Sequence, residues 1–106
     1  GFNEGVICRG DLLLDTARHE VKIRGIPVSL TRTEFRMLAV LAENPGRVFS
    51  RSQLMDEALG DGFAGYERTI DSHIRNLRRK VESDPSHPEY VVTVFGIGYK
   101  FGDMPT

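Results

Sequence analysis

The side chains of this sequence best suited to binding an anionic ligand are concentrated between residues 68 and 80. With the helical period of 3.6 residues, four of them fall on one narrow arc: Arg68, Ser72, Arg75 and Arg79. Guanidinium groups pair with phosphates and with base edges, and hydroxyl groups hydrogen-bond to both. The arc is therefore typical of a helix that lies in a groove of duplex DNA.

The opposite side of the same helix is apolar, which predicts that it faces a core. Its members recur at i, i+4, i+7 and i+11: Ile70, Ile74, Leu77 and Val81. The charge bias of the segment is mild, because residues 66–82 hold five basic and three acidic side chains. On this segment alone, a solvated surface helix is as well supported as nucleic-acid binding.

Individual residues of this helix have alternative interpretations. Asp71 could orient Arg75 or Arg68, or accept a hydrogen bond from cytosine N4. His73 could donate to a phosphate or support a core contact. Two further bases lie off the arc: Arg78 is expected in a structural ion pair, and Lys80 could be solvated or bind phosphate.

Composition narrows the class of protein. A chain of 106 residues suits one domain with one core, and a net charge of −1 argues against a binder driven by charge alone. The single cysteine, Cys8, fits a reducing cytosol and is expected to be a small buried strand residue beside Val6 and Ile7. No apolar run is long enough to cross a bilayer, so no membrane partner and a cytoplasmic location are expected. Residues 1–5 are interpreted as a linker remnant of a longer protein.

Catalytic and metal chemistry find no support in the sequence. His19 and His87 lie in predicted loops, and neither has metal-ligand spacing to His73 or to Cys8. No nucleophile–base pair or phosphate-binding loop is recognisable. We therefore expect no cofactor, no metal and no enzymatic activity.

The elements that position the polar arc follow from local patterns. Apolar runs at 6–8, 12–14 and 21–23, separated by turn residues, predict an antiparallel meander. Thr31 and Glu34 form a capping-box pattern that opens a first helix, which residues 44–46 end. The expected buried face of that helix is Phe35, Leu38, Ala39, Leu41 and Ala42.

A second capping box, Ser50 with Gln53, opens a short helix that runs to about Leu59. Its expected inward residues are Leu54, Met55 and Ala58. The third helix covers roughly 67–82 and precedes two β-rich segments, 90–95 and 99–101, which flank Gly96-Ile97-Gly98 and predict a closing hairpin. Strands, three helices and a hairpin in this order predict an α+β fold, a helix-turn-helix with a wing.

The chain resembles the C-terminal effector domain of OmpR/PhoB-type two-component response regulators, over about residues 6–101. Four motifs carry the resemblance by their order and spacing. They are Leu30-Thr31-x-x-Glu34-Phe35; Pro45-Gly46-Arg47-Val48 with Ser50-Arg51-x-x-Leu54; Arg68-Thr69-Ile70-Asp71-x-His73-Ile74-x-x-Leu77-Arg78-x-Lys80; and Thr93-Val94-x-Gly96-x-Gly98-Tyr99-x-Phe101.

The resemblance implies a winged helix-turn-helix with an N-terminal antiparallel four-stranded sheet, a three-helix core and a C-terminal β-hairpin wing. The domain would span residues 6–102, with 103–106 as a tail. The resemblance also implies sequence-specific binding of double-stranded DNA at direct repeats in promoters. An upstream receiver domain would be the target of a sensor histidine kinase. The connection 59–66 matches a loop that meets RNA polymerase in some relatives.

Site residues are carried over one position at a time. In relatives the third helix enters the major groove, Arg51 matches a phosphate contact, and the positions of Tyr99 and Lys100 touch DNA from the wing. With Ser72 and Arg79 of the arc, the predicted DNA-binding set is Arg51, Arg68, Thr69, Ser72, His73, Arg75, Asn76, Arg79, Tyr99 and Lys100.

Two positions depart from the family pattern. Asn76 stands where several relatives have arginine, and asparagine favours adenine over the guanine that arginine prefers. Phe95 stands where arginine is common in the wing; it could stack on a sugar, turn inward or support a protein contact. The last option, with the near-neutral net charge, keeps one alternative open: a protein-interaction winged helix that does not bind DNA.

Overall fold

The computed structural model describes residues 5–59 and 67–102, with the backbone alone described at 59 and 67–69. Four strands form an antiparallel N-terminal sheet in the order β1-β2-β3-β4. They are β1 (Val6–Arg9), β2 (Leu12–Asp15), β3 (Glu20–Ile23) and β4 (Ile26–Val28). The predicted four-stranded sheet is confirmed.

The prediction that Cys8 is buried is wrong. The strand period of two sends successive side chains to opposite faces. In the register of β1 and β2, Ile7 pairs with the fully buried Leu14, so Ile7 lies on the core face. Cys8 pairs with Leu13 on the other face and is exposed. Apolar neighbours in sequence therefore did not indicate burial in this edge strand.

Within the described residues, three helices follow the sheet: α1 (Arg32–Glu43), α2 (Arg51–Leu59) and α3 (Glu67–Val81). Both predicted capping boxes form. The Glu34 amide donates to Thr31 Oγ1 at 3.2 Å while the Thr31 amide donates to Glu34 Oε1 at 2.9 Å. The Gln53 amide donates to Ser50 Oγ at 3.1 Å while the Ser50 amide donates to Gln53 Oε1 at 2.9 Å. These caps set where α1 and α2 begin.

The core lies between the three described helices, with buried side chains from the N-terminal sheet and from the C-terminal residues 90, 91, 99 and 101. The predicted inward residues of α2 and the whole apolar stripe of α3 are buried. On α1 the prediction needs one correction, because Ala39 is only partly buried whereas Met37 is completely buried. Contacts of α1 with α2, α3 and β1 explain this, since a helix covered on several sides buries more than one narrow stripe.

A second, three-stranded sheet forms the wing. It contains β5 (Phe49–Ser50), β6 (Val91–Val94) and β7 (Gly98–Phe101) in the order β5-β7-β6. Gly96 lies in the hairpin turn with φ +80°, a conformation that favours glycine. Gly98 is a strand residue rather than a turn residue, and a Cβ atom there would collide with the Phe49 carbonyl group. The close approach of β5 and β7 therefore requires glycine at 98, and the fold is a winged helix.

Candidate nucleic-acid interface

The exposed surface of α3 carries the predicted polar row. Ser72, Arg75, Asn76 and Arg79 are exposed, and His73 is half-buried beside them. The apolar stripe packs inward on the other side of the helix. The backbone of Arg68 and Thr69 continues α3, whereas their side chains are outside the described residues. The helix therefore presents two guanidinium groups, an amide and a hydroxyl together.

Asp71 on α3 forms its ion pair with Arg51 at the start of α2. Arg51 Nε donates to Asp71 Oδ1 at 3.0 Å, and both side chains are 51% exposed. Asp71 therefore pairs directly with Arg51 rather than with Arg75, although the charge of Arg75 also lowers the pKa of Asp71. The side chain of Arg68, the other partner expected from the sequence, lies outside the described residues. The capping box places Arg51 in the first turn of α2, and the packing of α2 on α3 brings it to Asp71.

Tyr99 of β7 completes this cluster from the wing. It is only 5% exposed, and its hydroxyl group donates to the same Asp71 Oδ1 at 2.6 Å. This hydrogen bond lowers the pKa of Asp71, an effect that outweighs partial burial and is reinforced by Arg51. Burial and the Asp71 carboxylate raise the pKa of Tyr99. The placement favours a positioning role for Tyr99 over the predicted contact with DNA. Lys100, its neighbour, is half-buried.

Arg78 ties α3 to the wing, although not through the ion pair predicted from the sequence. Its Nε donates to the Val91 carbonyl oxygen at 2.9 Å and its Nη2 to Thr93 Oγ1 at 2.6 Å. Its guanidinium carbon also lies 5.6 Å from the Tyr99 ring centroid, within the range of a cation–π contact. Burial lowers the pKa of Arg78, but a guanidinium remains charged at neutral pH. The wing is thus held against α3 by directional bonds.

Two buried acids, Glu34 and Glu82, connect α3 to α1 and to the segment that begins β6. Neither the pair of Glu34 with Lys80 nor the role of Glu82 was predicted from the sequence. Glu34 is 1% exposed and accepts from Lys80 Nζ at 2.7 Å, so Lys80 of α3 is bound to α1. The carboxylate of Glu82, just after α3, accepts from the backbone amides of Glu89, Tyr90 and Val91 at 2.8–3.2 Å. The position of Glu82, directly after a helix and before a proline-rich turn, was the sequence signal from which its role could have been predicted.

The tip of the wing is apolar. Phe95 is 91% exposed and Ile97 is 58% exposed, on either side of Gly96. The interpretation in which Phe95 turns inward is therefore wrong. The two other interpretations, stacking on a sugar and contact with a protein, both need an exposed ring.

Other candidate sites from the sequence do not join this surface. His19 stacks on Phe35 with ring centroids 4.7 Å apart, and His87 Nδ1 lies 3.0 Å from Asp84 Oδ2. Among the residues that the structure describes, no three His, Cys, Asp or Glu side chains are grouped so that they could hold a metal ion. The described helices are all too short or too polar to cross a membrane. The predicted polymerase-contacting connection, 59–66, lies outside the described residues apart from the backbone of Leu59.

Comparison with known proteins identifies relatives over most of the chain. The family model described as "Transcriptional regulatory protein, C terminal" matches residues 25–101. The sensory transduction protein RegX3 of Mycolicibacterium smegmatis is 42% identical over 100 residues, which is 94% of this chain and 44% of the relative. The transcriptional regulatory protein BaeR of Escherichia coli is 43% identical over 90 residues, 85% of this chain and 38% of the relative. The chain therefore spans less than half the length of these relatives.

Solved structures of the same kind superpose closely. The response regulator DrrB, a Thermotoga maritima OmpR/PhoB homologue, is 35% identical with a TM-score of 0.82, over 92% of this chain and 44% of that one. The Klebsiella pneumoniae RstA DNA-binding domain, solved in complex with the RstA box, is 31% identical with a TM-score of 0.81, over 92% of this chain and 96% of that one. The matched family, the identities and the shared winged-helix fold show that this chain belongs to the C-terminal transcriptional regulatory domains of OmpR/PhoB-type two-component response regulators.

Proposed function

We propose that this domain binds double-stranded DNA sequence-specifically, with α3 in the major groove and the wing beside it. One observation carries the proposal: the exposed row Ser72, Arg75, Asn76 and Arg79 lies on a helix whose opposite stripe is buried. A helix held in this way presents its polar side chains to a groove without exposing apolar surface. The similar RstA domain was solved with its DNA box, and the AdeR DNA-binding domain with an intercistronic region, which supports the same use of this surface.

Within this proposal, the residues have separate roles. Arg75 and Asn76 read base edges, while Arg51, Arg79 and Lys100 donate to phosphates and set the register. Arg68, Thr69, Ser72 and His73 extend the same contact along α3. Tyr99 is assigned a positioning role, because it is buried and bonded to Asp71. The net charge of −1 suits a binder whose affinity depends on the matching sequence.

The role of the whole protein belongs to the same proposal. The domain would be the cytoplasmic effector part of a response regulator, with an upstream receiver domain phosphorylated by a sensor histidine kinase. Two copies would bind direct repeats in a promoter, and the connection 59–66 would meet RNA polymerase. The domain itself would have no enzymatic activity. The family membership and the length of the relatives support this larger arrangement.

Selection of bound duplexes from a random DNA pool tests the proposal. We expect enrichment of a half-site, repeated about one turn of the duplex apart when two domains are tethered. The enriched duplex is then titrated at two salt concentrations against a scrambled duplex. Tight, sequence-dependent binding supports the proposal. Failure to enrich any sequence, with single and tethered domains alike, contradicts it.

The exposed wing tip favours one second candidate, a domain that binds a protein instead of DNA. Phe95 and Ile97 place two apolar side chains in solvent, where protein interfaces commonly have aromatic anchors. Duplex titration of both the unaltered domain and the double variant Phe95→Ser/Ile97→Ser distinguishes the candidates. If DNA is the ligand, sequence-selective binding by α3 persists in this variant with at most a reduced wing contribution. A domain without salt-dependent duplex affinity before substitution would instead support the protein-binding candidate.

A further inference from the structure

Asp71 is an acid on the face of α3 that the proposed function assigns to DNA. A carboxylate there repels phosphates, so direct contact with the DNA backbone does not explain it. The structure gives Asp71 two partners instead, and they come from the two elements that flank α3. Arg51 belongs to α2 and Tyr99 to the wing.

Both partners meet at one atom. Arg51 Nε and the Tyr99 hydroxyl group donate to Asp71 Oδ1 at 3.0 and 2.6 Å. The Arg51 guanidinium carbon also lies 6.0 Å from the Tyr99 ring centroid, so the ring and the carboxylate restrain the same side chain. Tyr99 is itself held, because Arg78 packs against its ring and hydrogen-bonds to β6. Arg51 is therefore connected to a rigid support through Asp71.

We infer that Asp71 is a positioning residue that restrains Arg51 against the wing and thereby increases discrimination between DNA sequences at the expense of general affinity. This inference rests on the proposed function. An arginine held through Nε still has donors on its two terminal nitrogens for a phosphate. A restrained Arg51 can donate to that phosphate only when α3 lies in the correct register on the duplex. An unrestrained Arg51 can reorient and donate to phosphates of any duplex.

The restraint is measurable without DNA. In the domain as it stands, we expect the Arg51 Nε–H proton to exchange slowly with water and to give a sharp NMR signal. Asp71→Ala removes the acceptor, so the signal should broaden or disappear. Tyr99→Phe keeps the charge of Asp71 but removes the second hydrogen bond, so the signal should weaken. An Arg51 signal unchanged in both variants contradicts the inference.

A double-mutant cycle on DNA tests the consequence. Asp71→Ala should strengthen binding to a scrambled duplex about 1.4- to 5-fold, the range that exposed ion pairs are worth. It should also make the slope of log affinity against log salt concentration steeper by about 0.9, the contribution of one added phosphate contact. In an Arg51→Gln background the same substitution should have no such effect, because the side chain that it releases is absent. Glu43→Ala, at an exposed acid that ends α1, removes the same charge elsewhere and should change neither quantity.

The possible results distinguish a failure of this inference from a failure of the proposed function. If Asp71→Ala strengthens scrambled-duplex binding equally with and without Arg51, Asp71 acts only as a local charge and the inference is overturned while DNA binding stands. If Tyr99→Phe leaves the ratio of selected to scrambled affinity unchanged, the link to the wing is overturned. An unaltered domain that binds both duplexes equally overturns the proposed function, and this inference with it.

Discussion

At the scale of single residues, Asn76 is the side chain most suited to choosing a base. It is exposed on α3 beside Arg75, and its amide can donate and accept in the pattern that adenine presents in the major groove. Asn76→Arg should change the preferred base at one position of the half-site from adenine to guanine, by about 1–3 kcal/mol. Titration against duplexes that differ only at that base pair measures the change. Equal losses on both duplexes would show that Asn76 does not read a base.

Glu34 is a residue whose protonation state should control stability. Burial by itself would raise its pKa, but the Lys80 ammonium group and the bonds with Thr31 outweigh burial and hold the pKa below 4.5. Because the folded pKa is depressed, the stabilising contribution is complete above pH 4.5 and is lost as the pH falls through the folded pKa. The free energy of unfolding should therefore decrease in that acidic window.

Glu34→Gln tests this contribution. It removes the charge that Lys80 binds, and we expect a loss of about 1.5–3 kcal/mol at neutral pH, the value of hydrogen bonds to charged groups. The difference from the unaltered domain should shrink as the pH is lowered through the acidic window. Urea unfolding at a series of pH values measures it, with the exposed Glu43→Gln as the control. A difference that stays constant with pH would contradict the assignment.

At the scale of elements, the rigidity of the wing depends on a side chain of α3. Arg78 reaches two acceptors on β6, and the planar guanidinium group satisfies both at once. Arg78→Lys keeps the positive charge but loses the planar group that donates to both acceptors. We expect the β6 amides to exchange faster and the domain to lose about 1–2 kcal/mol of stability.

Hydrogen exchange followed by NMR measures the wing directly. Arg79→Lys is the matched control, since Arg79 is the next residue of α3 and is exposed. It should leave β6 exchange unchanged. Equal protection of β6 in the Arg78 and Arg79 variants would show that other contacts hold the hairpin. Arg78 would then not be the residue that makes Tyr99 a rigid support.

At the scale of the whole molecule, a net charge of −1 leaves little general attraction for DNA. One domain with one polar helix is therefore expected to bind weakly as a monomer. Two domains joined by a flexible linker should bind a duplex with two half-sites about 10²–10⁴ times more tightly than one domain, through effective concentration alone. Titration of single and linked domains on one-site and two-site duplexes measures this ratio.

Gel filtration over a concentration series provides the accompanying control. The single domain should elute as a monomer at low micromolar concentration. A stable dimer in that range would mean that a protein interface, and not the DNA, brings two copies together. The exposed wing tip, Phe95 with Ile97, would then be the first surface to substitute.

The sequence by itself determined the three described helices, most of the strands and most of the polar row of α3. Strand β4 (Ile26–Val28) was not predicted from local pattern, because Gly25 and Pro27 are turn residues. Capping boxes and helical periodicity act over a few residues, so Thr31 with Glu34, Ser50 with Gln53 and the apolar stripe of α3 were predictable from local physics. The order of the elements and the family motifs then predicted the winged helix.

Only the tertiary structure decided which groups the charged side chains bind. The partners in Arg51–Asp71, Arg78–Val91 and Lys80–Glu34 are 20, 13 and 46 residues apart in the chain. Local patterns carry no information on such distant pairs, which is why a nearer partner was assigned to Asp71. Burial of Tyr99 and exposure of Cys8 were likewise decided by strand register and packing, because a strand sends alternate side chains to opposite faces and only the fold determines which face is covered.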